Sequence, residues 1–168
     1  AEGFRRFAER IGVSKANQMI AFSILEDCMR EHLNEIAPRR MAVLDPVKLV
    51  IENYPEGQEE MMEIANHPQK PGMGSRQVPF SKELWVERGD YQEVPAKGYF
   101  RMFPGNTVRL RHGYVVKCVG FDKASETVRC IYYADSKSGT EGADKYKVKG
   151  NIHWVSVKHG FPAGIRTY

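Results

Sequence analysis

The chain has 168 residues, 42% of them hydrophobic and 11% aromatic, which is enough to bury the core of one ordinary domain or of two small ones. Its net charge of +4 is unevenly distributed, because residues 1–98 hold 13 Lys/Arg against 16 Asp/Glu whereas residues 99–168 hold 12 against 5. Three cysteines without C-x-x-C pairing argue against a zinc site or a disulfide framework, and no apolar run suits a membrane span or a signal peptide. We therefore expect a soluble, cytoplasmic protein with a basic final third and no metal site.

The first part of the chain has the apolar spacing of helices. A short amphipathic helix is predicted to end at Gly12. A second helix, capped by Ser14, is predicted to carry an apolar stripe over residues 22–36 and to stop before Pro38. The chain is thus expected to begin with a small helical segment.

After Arg40 the apolar residues change to an alternating pattern, which is typical of strands. Strands are predicted at residues 41–44, 47–54, 84–86, 107–111, 114–121, 127–134 and 152–157. The pair at 114–121 and 127–134 forms the clearest hairpin, while the polar segments 55–74 and 136–142 are predicted as loops. This order predicts a mainly β fold, with antiparallel β-barrels or sandwiches preceded by a small α-helical segment.

The sequence contains no convincing motif for a catalytic nucleophile or for a phosphate-binding loop. The basic third contains His112, His153 and His159, but no G-x-S-x-G motif accompanies them. The glycine-rich residues 72–76 resemble a phosphate-binding loop superficially, yet a strand rather than a helix is predicted after them. We therefore assign no catalytic residue to this chain.

An arginine-rich stretch, YFRMFPGNTVRLRHGY, occupies residues 99–114. Successive side chains of a strand point to opposite faces, so Arg109 and Arg111 are expected to project together, with Arg101 delivered across a Pro-Gly-Asn turn. Guanidinium groups bind planar anions, and neighbouring aromatic rings stack on bases, so the stretch suits single-stranded RNA. A solvated strand face is the alternative interpretation.

Three lysines alternate in the segment KYKVKG: Lys145, Lys147 and Lys149. On a strand they would form one charged face that follows phosphates along an RNA backbone. A solvated sheet edge explains the same pattern.

Several long segments resemble one known family. These are LNEIAPRRMAVLDPVKLVIENY at residues 33–54, NHPQKPGMGSRQVPFSKELWVERGDY at residues 66–91, and the later stretches VRLRHGYVVK and KVKGNIHWVS. In order, and over nearly the whole chain, they resemble glutaminyl-tRNA synthetase, a class I family. The resemblance implies a helical connector at residues 1–37, the first part of a proximal anticodon-binding β-barrel at 38–98 and a distal anticodon-binding β-barrel at 99–168.

The same resemblance implies roles for individual side chains. It identifies the anticodon-binding residues as Arg39, Arg101, Arg109 and Arg111. Arg39 would contact the middle base, Arg101 the third base, and the R-L-R pair the first base and its backbone. Weaker contacts near the 3′ end of the anticodon loop are implied for Asn34 and Gln69, the latter in place of a usual asparagine. Arg40 stands where relatives of this family have a small residue.

The resemblance further implies a partner and a parent enzyme. The partner would be the tRNA that accepts glutamine, with no DNA and no membrane, and the protein would be monomeric. The family's catalytic signatures do not match any segment of the chain, so the fragment is expected to be inactive alone and to need no cofactor. ATP with Mg would belong to the catalytic domain of the parent ligase.

Other interpretations of the chain stay open. A glutamyl-tRNA synthetase of the non-bacterial type shares the barrel architecture, although the R-L-R pair argues for glutamine. A stand-alone RNA-binding β-barrel, of the kind found in ribosomal proteins, would belong to no enzyme. A barrel that binds proteins without RNA is the third alternative.

Overall fold

A computed structural model describes residues 1–15 and 17–166 of the chain. Two α-helices in these residues precede the strands: α1 at Glu2–Ile11 and α2 at Phe22–Ile36. Gly12 ends α1 as predicted, with a φ of 69° and an N–H that donates to the carbonyl oxygen of Ala8 at 3.1 Å. The predicted cap at Ser14 is wrong, because α2 begins only where its apolar stripe begins, with Ala21 at the cap position.

Nine strands follow in the described residues. They are β1 at Pro46–Ile51, β2 at Glu59–Ala65, β3 at Ser75–Ser81, β4 at Glu83–Glu87, β5 at Thr107–Leu110, β6 at Val115–Asp122, β7 at Thr127–Tyr132, β8 at Gly150–Ile152 and β9 at Val155–Ser156. Seven form one sheet in the order β8-β5-β6-β7-β1-β4-β9, while β2 and β3 form a separate antiparallel hairpin. The predicted mainly β fold with two preceding helices is therefore confirmed.

The seven-stranded sheet joins distant parts of the chain. The predicted hairpin of β6 and β7 is present, and β1 pairs in parallel with β7 and antiparallel with β4. Strands from residues 38–98 and from residues 99–168 thus contribute to the same sheet. The division into a proximal and a distal barrel stays a prediction.

Two sequence predictions for the region between residues 41 and 74 are wrong. Residues 41–44 form no strand, because the backbone N–H groups of Leu44 and Asp45 donate instead to the Glu87 carboxylate, at 2.7 and 3.0 Å. The predicted loop at 55–74 contains β2, in which Met62 and Ile64 are buried. The alternation of β2 was hidden because a glutamate precedes these two residues on the same face.

The strand predicted at residues 152–157 is instead two short strands, β8 and β9, which lie at opposite edges of the seven-stranded sheet. His153 and Trp154 lie between them. The Trp154 ring is fully buried, and its Nε1 donates to the carbonyl oxygen of Arg111 at 2.9 Å. This buried ring fixes the end of β5, where the arginine-rich stretch turns.

Phe80 of β3 joins the separate hairpin to the main sheet. Its ring is fully buried, with centroids 5.5 Å from Tyr54, 5.5 Å from Tyr114 and 5.0 Å from Trp154. Such aromatic contacts add to the stabilisation that burial of apolar surface provides. The hairpin is thereby held against the end of β5.

The glutamate of β2 that faces inward, Glu60, binds groups from three parts of the chain. Its carboxylate accepts hydrogen bonds from the hydroxyls of Tyr54 and Tyr114, at 2.7 and 2.9 Å, and from Nζ of Lys137 at 2.9 Å. Burial acts to raise the pKa of Glu60, but the hydrogen bonds outweigh burial and lower it. Burial and the bond to this carboxylate raise the pKa of both tyrosines.

We expect Glu60→Gln to lower the free energy of unfolding at pH 7 by about 1–2 kcal/mol, since the bonds to a charged acceptor are weakened. Because folding lowers the pKa of Glu60 from its ordinary 4.5, its contribution is present above that value and is lost as the pH falls through the folded-state pKa. Urea unfolding at pH 7 and pH 3.5 should therefore show a difference between wild type and variant that shrinks in acid. A difference independent of pH would contradict this role, and Glu56→Gln, at an exposed position, serves as the control.

Candidate nucleic-acid interface

The arginines of the described residues fall into two groups according to whether a carboxylate neutralises them. Ion pairs within 4.0 Å involve Arg5, Arg6, Arg10, Arg30, Arg88, Arg101 and Arg129. In residues 1–15 and 17–166, no such pair is formed by Arg39, Arg40, Arg76, Arg109, Arg111 or Arg166. Positive charges that the fold leaves uncompensated are available to an anionic partner.

Arg39 lies in the linker between α2 and β1. Its Nη2 donates to the side-chain and backbone oxygens of Asn34, at 3.1 and 3.2 Å. The carbonyl oxygen of Asn34 lies 2.7 Å from Nε2 of the buried His67, and Nδ1 of that ring accepts from the backbone N–H of Gln69 at 3.1 Å. Three residues that the sequence predicted as contacts, Arg39, Asn34 and Gln69, are thus brought together through His67.

Arg101 lies before the predicted turn and is the exception among the anticodon-binding candidates. Its guanidinium forms an ion pair with Asp90, whose side chain is fully buried while that of Arg101 is 52% exposed. The turn is present: Gly105 has a φ of 89°, and Nδ2 of Asn106 donates to the carbonyl oxygen of Arg101 at 2.5 Å. The Arg101 guanidinium is therefore held by Asp90, while about half of the side chain stays exposed to solvent.

Arg109 and Arg111 differ in what they contact. Residues 107–111 alternate as predicted, with Val108 and Leu110 fully buried and the two arginines less so. Arg109 is half-buried beneath residues 136–143, and its Nη1 and Nη2 donate to the carbonyl oxygens of Ser136 and Ala143 at 2.9 and 3.0 Å. The exposed Arg111 guanidinium forms no hydrogen bond with any residue that the structure describes.

The predicted lysine strand is wrong. Lys145 ends a short 3₁₀ helix at Glu141–Lys145, and β8 begins only at Gly150, so residues 146–149 form no strand. Nζ of Lys149 lies 4.7 Å from the ring centroid of Phe100, a cation–π contact. Lys147 and Lys149 line a shallow cavity of about 260 Å³ beside that exposed ring.

Among the residues that the structure describes, no Ser, Thr or Cys side chain hydrogen-bonds to the ring of His112, His153 or His159. His153 lies 3.6 Å from Glu87, and His159 lies 3.2 Å from Glu59, so two of the rings face carboxylates at the surface. In the described ranges, no group of three or more His, Cys, Asp or Glu side chains is arranged to hold a metal ion. No helix among these residues has the length and apolar character needed to cross a membrane.

Sequence reasoning missed one charged cluster. Arg76 of β3 lies near Arg40 and His112, whose sequence positions are 36 residues away from it in each direction. Partial desolvation of the ring, together with the positive charges of Arg111 and Arg76, lowers the pKa of His112. No local spacing reveals such a cluster, because it forms only when the hairpin packs against the end of β5.

A β-rich domain with uncompensated arginines at its surface is typical of the nucleic-acid-binding class of proteins. The family described as tRNA synthetases class I (E and Q), anti-codon binding domain, matches residues 37–134, which is more than half of the chain. The chain belongs to this family.

The chain is similar to several glutamine–tRNA ligases. The chain is 53% identical to the glutamine–tRNA ligase of Cupriavidus metallidurans over 171 residues, 51% to that of Bordetella pertussis over 168, and 50% to that of Nitrosomonas europaea over 171. These alignments cover 98–99% of the chain but only 29–31% of each ligase. The chain thus spans about three-tenths of the length of these relatives.

Proposed function

We propose that this chain is the anticodon-binding part of a glutamine–tRNA ligase. One observation carries the proposal: Arg39, Arg109 and Arg111, which occupy predicted anticodon positions, are left without a carboxylate partner by the described residues. Most other arginines of the surface are neutralised within the fold. The guanidinium of Arg111 is exposed and forms no hydrogen bond with the described residues, so its forked donors are available to the edges of bases.

The proposed mechanism is recognition of unstacked bases. Single-stranded loops are read when their bases are splayed apart and bonded at their edges. Arg39 would bind the middle base, Arg101 the third, and Arg109 with Arg111 the first base and its backbone. Asn34, Gln69 and the lysines at 145, 147 and 149 would add weaker contacts to the RNA.

The parent protein would be a cytoplasmic, monomeric ligase that attaches glutamine to its tRNA. In this proposal ATP and Mg bind a separate catalytic domain, and the present chain supplies recognition only. The relatives' printed names and the near-complete coverage of this chain support the assignment to glutamine.

Titration with anticodon stem-loop RNAs tests this proposal. Binding of the loop with a glutamine anticodon should be roughly tenfold tighter or more than binding of the same loop with a changed anticodon base, since each mismatch typically costs about 1–3 kcal/mol. A stem-loop with the glutamate anticodon tests the related synthetase. Equal affinity for all the loops would refute base recognition, and tighter binding of the glutamate loop would favour the glutamyl enzyme.

A further inference from the structure

Arg40 and Arg76 converge on one side chain that none of the assigned contacts uses. Nη1 of each arginine donates to Oδ1 of Asn66, at 3.1 and 3.3 Å. Asn66 is itself fixed, because its Nδ2 donates to the carbonyl oxygen of Met73 at 3.0 Å and its backbone N–H to that of Gly74 at 2.9 Å. Its amide oxygen therefore points at both guanidinium groups.

The two guanidiniums repel each other, and the described residues bring no carboxylate to them. Burial of Arg76 and the positive charge of Arg40 lower the pKa of Arg76. Nη1 of Arg40 also donates to the carbonyl oxygen of Arg39 at 3.1 Å, and Nη1 of Arg76 to that of Ala65 at 3.4 Å. These neutral acceptors engage only the Nη1 atoms, so most of the five N–H donors of each guanidinium have no partner among the described residues. An anion that accepts from both arginines would supply the missing acceptors and remove the repulsion.

The position of the pair in the fold indicates which anion. The carbonyl oxygen of Asn66 also accepts from the backbone N–H of Arg39 at 2.6 Å, so the pair adjoins the residue proposed for the middle base. Arg40 and Arg76 also line one cavity with Trp154, whose Nε1 donates to the carbonyl oxygen of Arg111 at 2.9 Å, so the pair lies near a residue proposed for the first base as well. Arg40 and Arg76 thus lie near the proposed sites of two consecutive nucleotides.

We infer that Arg40 and Arg76 bind the phosphodiester that joins the first and middle anticodon nucleotides. This inference rests on the proposed function. When two neighbouring bases are splayed into separate sites, the phosphate between them is exposed, and its two non-bridging oxygens match two guanidinium donors. Such a contact positions the backbone and carries no sequence information.

A double-variant cycle on the intact protein tests the inference. The protein changes are Arg40→Gln and Arg76→Gln, singly and together, and the RNA change is a neutral methylphosphonate at the linkage between the first and middle anticodon nucleotides. We expect each single variant to weaken binding of the glutamine anticodon loop roughly threefold to tenfold, and the methylphosphonate to weaken wild type by a similar factor. In the double variant the methylphosphonate should have little further effect, because its partners are already gone.

Several controls separate this inference from the proposed function. Arg129→Gln removes one positive charge from an exposed ion pair with Glu52, and it should leave RNA affinity nearly unchanged. A methylphosphonate in the stem should weaken wild type and double variant equally. If the unfolding curves of Arg40→Gln and Arg76→Gln match that of wild type, the variants act on binding and not on folding. If a glutamine variant unfolds, the corresponding Arg→Lys variant provides a second measurement.

The outcomes are distinguishable. The phosphate site would be overturned if the methylphosphonate weakened the double variant by the same factor as wild type. It would also be overturned if Arg40→Gln and Arg76→Gln bound the RNA as tightly as wild type. In both cases wild type would still discriminate between anticodons. Loss of discrimination between anticodons in wild type would instead overturn the proposed function.

Discussion

Arg101→Ala should destabilise the chain by about 2–4 kcal/mol, a larger effect than is usual for a residue at the surface. The reason is Asp90, whose side chain is fully buried and is paired with the half-exposed Arg101. Removal of the guanidinium leaves a buried carboxylate without a counter-charge, which costs more than the loss of an exposed pair. Urea unfolding at pH 7 measures this loss directly.

The double variant Asp90→Asn/Arg101→Ala separates stability from recognition. A neutral amide at position 90 needs no counter-charge, so the double variant should recover a large part of the stability lost by Arg101→Ala. It should not recover RNA affinity, and the loss of about 1–3 kcal/mol should be largest for the loop with the cognate third base. Arg88→Ala, which removes exposed pairs with Asp45 and Glu126, is the control for stability.

RNA binding of the double variant decides the role of Arg101. Affinity equal to wild type would show that Arg101 serves only to neutralise Asp90. Affinity reduced equally for every anticodon would make it a phosphate contact. The exposed part of the side chain leaves donors for a base because one guanidinium nitrogen is enough for the ion pair.

Local pattern predicted those parts of the fold that depend on neighbours in sequence. The hairpin of β6 and β7 was predicted because two apolar, β-branched segments flank a short polar segment at residues 122–126. Strand β2 was missed because Glu60 occupies an inward position, where Tyr54, Tyr114 and Lys137 satisfy it. A partly buried charge whose partners come from other parts of the chain cannot be recognised from the segment itself.

The candidate site was predictable to a similar degree. The period of a strand predicted that Arg109 and Arg111 point away from Val108 and Leu110, and the burial of residues 107–110 alternates accordingly, although β5 ends at Leu110, before Arg111. The partners of Arg109 lie 27 to 34 residues further along the chain, so no local rule distinguishes the two arginines. The convergence of Arg40 and Arg76 on Asn66 also depends on tertiary packing.

Arg109→Ala and Arg111→Ala are therefore expected to differ, although the family resemblance pairs these residues. Arg109 donates to Ser136, Ser138 and Ala143, and its removal leaves partly buried acceptors unsatisfied. We expect Arg109→Ala to lower the free energy of unfolding by about 1.5–3 kcal/mol, whereas Arg111→Ala should change it by less than about 0.5 kcal/mol.

RNA affinity should show the complementary difference. Arg111→Ala should lose about 1–3 kcal/mol of binding free energy, mostly for the loop with the cognate first base, without a change in folding.

Arg109→Ala should also release residues 136–143, which limited trypsin digestion detects as faster cleavage after Lys137, because ordered loops resist proteolysis. Arg109→Lys keeps the charge, but a single ammonium cannot reproduce the fork that spans two carbonyls, so it should restore only part of the stability. If Arg111→Ala loosened the loop as much as Arg109→Ala does, the two arginines would form one structural unit. Another side chain would then have to contact the first anticodon base.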